Sequence, residues 1–305
     1  MEQLSLFNNL SNEEKSIQLL REFELMALQL HEDGYYLAYS GGKDSDVLLH
    51  IAIKAGVKFT AHYNITGIDP KEAVIHIKEK KKELKEMGIT LTLDRPKVFT
   101  TGDFKGLPKN MWRLIEHKKM PPTRIMRYCC SDLKEHGGEG RICLTGVRWA
   151  ESAKRSKRRP LEVVASKFAD KKLFNDNDEG RRQFENCMQK GKKVLNPIIQ
   201  WNDEELWGYI RQENIKYCKL YDEGWDRIGC LGCPMGSTKG QEEDFKRYPQ
   251  VKDLYIKAFD KMIEKMNKEN PEAERNWKNG QDVFDWWLYS QGEKAKIYDN
   301  QIEME

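Results

Sequence analysis

Apolar and polar positions along this chain recur with two periods, and the switching between them outlines the fold. Leu19, Leu20, Phe23, Leu25, Met26, Leu28 and Leu30 give residues 4–31 a broad apolar face, and Ser11 with Glu14 makes a capping-box pattern, so this stretch is predicted helical. Residues 35–39 are a short apolar run read as a buried strand, followed by a glycine loop at 40–45. A helix is expected over 46–55, closed by Gly56, then a strand over 58–65. A second helix over 71–87 stops at Gly88, and 89–93 reads as a third strand. Strands alternating with helices predict an α/β fold with a doubly wound parallel sheet.

The middle of the chain is less periodic. Residues 109–119 read as a helix, Pro121-Pro122 as a break, 123–134 as a resumed helix and 141–147 as a buried strand. The charged, apolar-poor stretch 150–193 is expected to be a surface loop or flexible flap. A helix is expected over 203–213. The tail, 240–305, looks helical and aromatic, with Trp277, Phe284, Trp286, Trp287 and Tyr289. Its tryptophans are read as helix core. Lys78, Lys80, Lys81, Lys82 and Lys85 are read as the solvated face of a helix, offset by Glu79 and Glu83. No internal repeat is visible. The expected organisation is an N-terminal helical segment (1–34), a nucleotide-binding domain (35–238) and a helical C-terminal extension (239–305).

Composition narrows the class. The 305 residues carry 52 Lys and Arg against 49 Asp and Glu, a net charge of +3, which excludes a uniformly basic coat. No apolar run approaches the roughly 18 residues of a membrane span, and Glu2, Glu13, Glu14 and Lys15 interrupt any signal-peptide core, so a cytoplasmic address is expected. Seven cysteines without a secretory signal point to metal or redox chemistry rather than disulfides.

Ser40-Gly41-Gly42-Lys43-Asp44-Ser45 lies between a predicted strand and a predicted helix. Glycines let backbone N–H groups approach an anion, the helix N-terminus adds partial positive charge, Lys43 adds a full one, and Ser40 and Ser45 add hydroxyls. The spacing is neither a Walker A loop nor the Rossmann fingerprint. Cys129 and Cys130 are adjacent, and Cys230 and Cys233 form C-x-x-C before Pro234. Two thiolate pairs suit a tetrahedral zinc ion or a 4Fe–4S cluster; neighbouring cysteines crowd one ion but can reach different irons of a cubane. Cys143 falls in a predicted buried strand and reads as core, leaving Cys187 and Cys218 unassigned. The histidines show no metal spacing.

The glycine loop resembles the pyrophosphate (PP) loop of the adenine nucleotide α-hydrolases, a Rossmann-like superfamily of ATP pyrophosphatases and sulfonucleotide enzymes. Further motifs are similar to its phosphoadenylyl-sulfate (PAPS) reductase branch: Thr66-Gly67-Ile68-Asp69-Pro70-Lys71-Glu72; Thr145-Gly146-Val147-Arg148 with Glu151, Ser152 and Arg155; Asn196 to Trp201 with Glu205 to Ile210; and Leu220-Tyr221-Asp222-Glu223-Gly224 leading to Ile228-Gly229-Cys230. The resemblance covers residues 35–235. It implies that Ser40–Ser45 and Gly146 hold nucleotide phosphates and that Arg148 and Arg155 bind a terminal phosphate or sulfate, a task that suits guanidinium. It also implies that Cys129, Cys130, Cys230 and Cys233 hold an iron–sulfur cluster, as in assimilatory adenylyl-sulfate reductases.

Two departures shift the expected chemistry. The reductases carry a catalytic cysteine near their C-terminus, whereas no cysteine follows Cys233 in this sequence. They also generally lack the loop lysine that stands here as Lys43. The expectation is therefore an ATP pyrophosphatase that binds ATP with Mg²⁺ and adenylates an acceptor, with Lys43 stabilising the leaving pyrophosphate and Asp44 as a Mg²⁺ ligand or helix cap. Sulfur transfer or nucleic-acid modification is the context by analogy. The alternatives are a sulfonucleotide reductase using Cys187, Cys218 or an external thiol, and a non-catalytic nucleotide- or redox-sensing subunit of a nucleic-acid modification complex. Lys105, Lys109, Arg113, Lys118, Lys119, Arg124 and Arg127 with Trp112, and Lys154–Arg159, are the basic stretches that would follow a nucleic-acid backbone.

Overall fold

A computed structural model describes residues 10–135, 137–152, 155–164, 192–273 and 276–290. The chain divides into two compact units that interleave in sequence: Met1–Tyr63, Lys71–Asp94 and Gly137–Ile228 form a sheet unit, and Asn64–Pro70, Arg95–His136 and Gly229–Glu305 form a helical unit.

In the sheet unit, α1 (Asn12–Leu30) opens on the expected capping box: Glu14 N–H donates to the Ser11 hydroxyl, and the Ser11 N–H donates to the Glu14 carboxylate. Helix thus starts at Asn12, and residues 4–9 of the expected helix lie outside the described residues. Leu20 and Ala27 are buried, whereas Leu25 and Leu28 are exposed, so only part of the apolar face is used. Then follow β1 (Tyr35–Ala38), α2 (Lys43–Ala55), β2 (Phe59–Asn64), α3 (Lys71–Glu86), β3 (Leu91–Asp94), β4 (Ile142–Leu144), β5 (Leu161–Val164), β6 (Lys192–Leu195) and α6 (Asp203–Gln212). The helices between β3 and β4, α4 (Met111–Lys118) and α5 (Tyr128–Leu133), belong to the other unit.

The sheet order is β3-β2-β1-β4-β6-β5. β1 runs parallel to β2 and β4, β4 parallel to β6, and β5 antiparallel to β6 with Leu161 opposite Leu195. Tyr35, Leu37, Ile142, Leu144 and Leu195 are fully buried, as strands covered on both faces require. The mostly parallel α/β sheet is the expected one. The stretch 150–193 differs: it was expected to be a loop, yet it contributes β5, a short edge strand whose pairing with β6 no periodicity over so few residues reveals; 165–191 lies outside the described residues. The lysine-rich face of α3 also departs from expectation at Lys80, whose stem is buried and whose ammonium reaches Glu83 (3.3 Å).

The helical unit contains α4 (Met111–Lys118), α5 (Tyr128–Leu133), α7 (Thr238–Arg247), α8 (Pro249–Glu269) and α9 (Gly280–Asp285). Asn110 caps α4 by accepting the Arg113 N–H. α5 is shorter than the expected 123–134, because after Pro121-Pro122 the chain makes a turn in which the Thr123 hydroxyl accepts the Met126 N–H. Met111, Leu114, Phe245, Tyr255, Phe259, Phe284 and Trp287 form the core, and the Trp287 indole donates to the Pro122 carbonyl (2.6 Å). The tail tryptophans are thus core and its margin, Trp277 packing on Trp286 at 5.0 Å between ring centres. Among the described residues, no helix is long and apolar enough to cross a membrane.

Candidate functional site

Strand order reverses beside β1, because the chain continues outward to β2 on one side and returns to β4 on the other. Such a switch point opens a crevice at the carboxyl ends of the two strands, where α/β sheets bind ligands. The expected glycine loop at 40–45 is a turn only as far as Gly42, since α2 begins at Lys43 and not at the expected residue 46, and the loop after β4 carries Gly146 and Arg148.

Gly41 has φ +73° and lies so close to α3 that a Cβ would fall 2.7 Å from Ile77 Cγ1, so only glycine fits. Gly42 is the N-cap of α2 and brings no side-chain cap to the first-turn amides. The serines close the loop: Ser40 N–H donates to Ser45 Oγ (3.2 Å), and that hydroxyl donates to the Gly42 carbonyl (2.8 Å). Beneath them the Tyr39 hydroxyl donates to Asp46 Oδ1 (2.6 Å), and His76 Nε2 on α3 stands 3.0 Å from Asp46 Oδ2. All three side chains are buried, and burial followed by the Asp46 charge pushes the Tyr39 phenol pKa well up.

Lys43 is buried to 9 % exposure. Its N–H donates to the Tyr221 hydroxyl (3.0 Å), and its ammonium donates to the Asp226 carbonyl (3.1 Å) and stands 5.3 Å from the Tyr221 ring centre. Gly146 approaches the loop closely, since a Cβ there would meet the Asp44 backbone at 3.1 Å.

Arg148 is 1 % exposed, and its guanidinium donates to three protein acceptors: Nε to Asp44 Oδ1 (2.5 Å), Nη2 to Asp203 Oδ1 (2.8 Å) and Nη1 to the Trp201 carbonyl (3.1 Å). Burial works against its charge, but Asp44 and Asp203 outweigh that and raise its pKa. Asp44 is accordingly paired with Arg148 across the loop. Arg155 is half-exposed and pairs with Glu151, which also accepts the Arg148 N–H (2.9 Å).

Both cysteine pairs lie in the helical unit. Cys129 and Cys130 lie on α5, and Cys230 and Cys233 lie on the turn before α7. Cys129 and Cys230 pack against the same hydrophobic core, and the Cys233 N–H donates to the Cys230 carbonyl (3.2 Å). Arg127 Nη2 donates to Cys130 Sγ (3.4 Å), and the Cys230 thiol donates to Asp69 Oδ1 (3.6 Å). A hydrogen bond from Cys129, then one from Arg127, draws the Cys130 thiol down to about 5, whereas burial pushes the Cys230 thiol up to about 11 against the pull of Lys134. Lys134 is exposed as a residue, and the charges of Cys230 and Asp69 raise its ammonium pKa. Among the described residues, no three of His, Cys, Asp and Glu are grouped to hold a single metal ion. Cys143 and Cys218 are buried core, and Cys187 lies outside the described residues.

Most of the basic stretch around Trp112 is engaged within its own unit. Lys109 pairs with Asp132 (2.5 Å), Lys119 pairs with Glu269, and Arg124 donates to the carbonyls of Pro234 and Gly236. Of the second stretch, Lys154 lies outside the described residues. Sequence reading did not single out Tyr39, Asp46, His76, Lys134, Asp203 or Asp226. Tyr221, Thr66 and Asp69 stood inside the quoted motifs, and that membership was the signal available for them.

The pattern of the phosphoadenosine phosphosulfate reductase domain matches residues 34–235. An uncharacterised protein of Methanocaldococcus jannaschii is 26 % identical over 264 residues, covering 83 % of this chain and 52 % of its own length. Sulfate adenylyltransferase subunit 2 of Shewanella pealeana is 28 % identical over 220 residues, covering 68 % of this chain and 65 % of its own. The chain thus spans about half the length of the first of these relatives. Among solved structures, the phosphoadenylyl-sulfate reductase of Candida auris in its phosphate complex is similar, with TM-score 0.46 and 16 % identity over 74 % of this chain and 91 % of that one.

Proposed function

The chain belongs to the phosphoadenosine phosphosulfate reductase domain family, and from that premise we propose that it is an adenine-nucleotide enzyme that cleaves ATP between its α and β phosphates and transfers AMP to an acceptor. The observation that carries this reading is Lys43 at the first position of α2, behind an N-cap without a side-chain cap, at the switch point of the sheet. The kinship with sulfate adenylyltransferase subunit 2, whose name states adenylyl transfer, supports it.

In the reaction an acceptor oxygen attacks the α phosphorus, the bond to the bridging oxygen breaks, and pyrophosphate leaves with the electron pair. Amides of the Gly41–Gly42 turn and the α2 dipole would bind the phosphates, and the Lys43 ammonium would offset charge growing on pyrophosphate, the point where preorganised charge accelerates transfer most. Mg²⁺ would enter with ATP as part of the substrate, Asp44 being its candidate ligand. Arg148 would fix the Asp44 carboxylate rather than meet the terminal phosphate.

Cys129, Cys130, Cys230 and Cys233 would hold a 4Fe–4S cluster, which suits two cysteine pairs in one unit, with Cys129 and Cys230 on the same core and Arg127 beside Cys130, and which supplies electron-transfer or sulfur-donating chemistry. The same thiols favour a second reading, a sulfonucleotide reductase that releases sulfite. Pyrophosphate release from ATP that Lys43→Ala abolishes, without sulfite from adenylyl sulfate or its 3′-phosphorylated form, is the expected result. Sulfite from either sulfonucleotide selects the second reading, and ATP turnover indifferent to Lys43→Ala refutes the first.

A further inference from the structure

We propose that Tyr221 is a positioning residue for the proposed phosphate chemistry and acts through Lys43; the inference rests on the reading of Lys43 as the group facing pyrophosphate. Tyr221 lies far from the glycine loop in sequence, at the end of the turn Lys219–Tyr221, yet it makes two separate contacts to that one lysine. Its hydroxyl takes the Lys43 N–H (3.0 Å), and its ring lies 5.3 Å from the Lys43 ammonium, within the range of a cation–π contact. The Asp226 carbonyl, a few residues on, accepts from the same ammonium (3.1 Å). One short segment therefore holds both ends of Lys43.

The ring is itself braced. Trp207 on α6 packs edge-on at 5.4 Å, Tyr217 stands at 6.3 Å, and Trp207 and Tyr217 pack on each other at 5.2 Å. The Tyr217 hydroxyl donates to Asp222 (2.8 Å), next to Tyr221 in the chain. Burial raises the Tyr221 pKa, which keeps the phenol neutral and its oxygen free to accept from an amide. A lysine stem has several rotatable bonds, and an aromatic surface that selects one direction for it removes freedom that would otherwise be lost when the phosphates arrive.

A residue that works through Lys43 must lose its effect when Lys43 is gone. The experiment measures ATP turnover and inorganic pyrophosphate affinity for the full chain and for Tyr221→Phe, Tyr221→Leu, Lys43→Ala and Lys43→Ala/Tyr221→Leu. Tyr221→Leu is expected to lower kcat about 5- to 10-fold, the scale of one cation–π contact with its geometry. Tyr221→Phe, which keeps the ring, is expected to lose less than half of that on a logarithmic scale. In the Lys43→Ala background, which removes the ammonium but keeps the residue-43 N–H, Tyr221→Leu is expected to lose no more than Tyr221→Phe loses in the wild type. A full additional loss in that background assigns Tyr221 a role independent of Lys43 and overturns the proposal, as does a Tyr221→Phe defect equal to that of leucine. If the wild type binds pyrophosphate but does not turn over ATP, the adenylation reading fails, and the same coupling read in pyrophosphate affinity still decides the role of Tyr221.

Discussion

Replacing Arg148 by methionine separates a structural guanidinium from a ligand-binding one. In the structure the side chain is 1 % exposed and contacts Asp44 (2.5 Å), Asp203 (2.8 Å) and the Trp201 carbonyl (3.1 Å). The Asp203 side chain is 62 % exposed and rehydrates freely, so that pair contributes close to nothing. Asp44, at 23 %, loses a short charge-assisted contact worth about 1.5–3 kcal/mol, reduced by the water that reaches it. The buried Trp201 carbonyl loses a charged donor, which adds about 1 kcal/mol. Methionine refills much of the aliphatic volume, so the expected loss is about 3 kcal/mol. For a body of this size that corresponds to a fall of about 6–12 °C in the melting midpoint. The assay is thermal and urea unfolding of wild type, Arg148→Met, Asp44→Asn and the double variant. The double variant should be less destabilised than the sum of the singles by about 1–2 kcal/mol, because the two groups are in contact. Melting within a degree of wild type, together with weakened nucleotide binding, would show that the guanidinium serves a ligand and refute this accounting.

Other perturbations probe the helical unit. Burial holds the Asp244 carboxyl up at about 6, against the lowering effect of the Gly232 N–H it accepts (2.8 Å). The folded chain thus binds a proton between about pH 4 and pH 6 that the unfolded chain has released, and this group's contribution to stability falls as pH rises through that window. Asp244→Asn, which keeps the acceptor, should raise the urea midpoint by about 1 kcal/mol equivalent at pH 7.5, discounted for partial exposure, and by nothing measurable near pH 4. Chain purified without oxygen should carry about four irons and four acid-labile sulfides, and Cys233→Ser should lose most of both; zinc in place of iron would overturn the cluster assignment.

The parts of the fold visible in sequence are those where one local signal suffices. The strand 35–39, the glycine turn and the existence of α2 follow from an apolar run, a glycine pair and helical periodicity, although α2 starts at Lys43, three residues before the periodicity places it, and the capping box at Ser11 follows from two residues. β5 was hidden because an edge strand of four residues is defined by its partner β6 and not by its own pattern. The loop residues that would touch phosphate were legible for the same reason as the loop. Their supports were not: Asp46 with His76, Arg148 with Asp44 and Asp203, and Tyr221 with Lys43 join segments far apart in the chain. A basic residue near such a loop reads from sequence as a phosphate ligand, and the geometry adds the three protein acceptors of the Arg148 guanidinium, which no local pattern reveals. The cysteine pairs were visible as pairs, but Lys134 and Asp69 beside Cys230 depend on tertiary contact alone.

Adenylyl transfer at the glycine loop is decided by pyrophosphate release from ATP, measured beside sulfite release from sulfonucleotides, for wild type and for Lys43→Ala that retains the wild-type circular dichroism. The expected result is pyrophosphate from the wild type, a loss of at least about 100-fold in Lys43→Ala as for removal of a preorganised charge, and no sulfite. Undiminished pyrophosphate release from Lys43→Ala would contradict it.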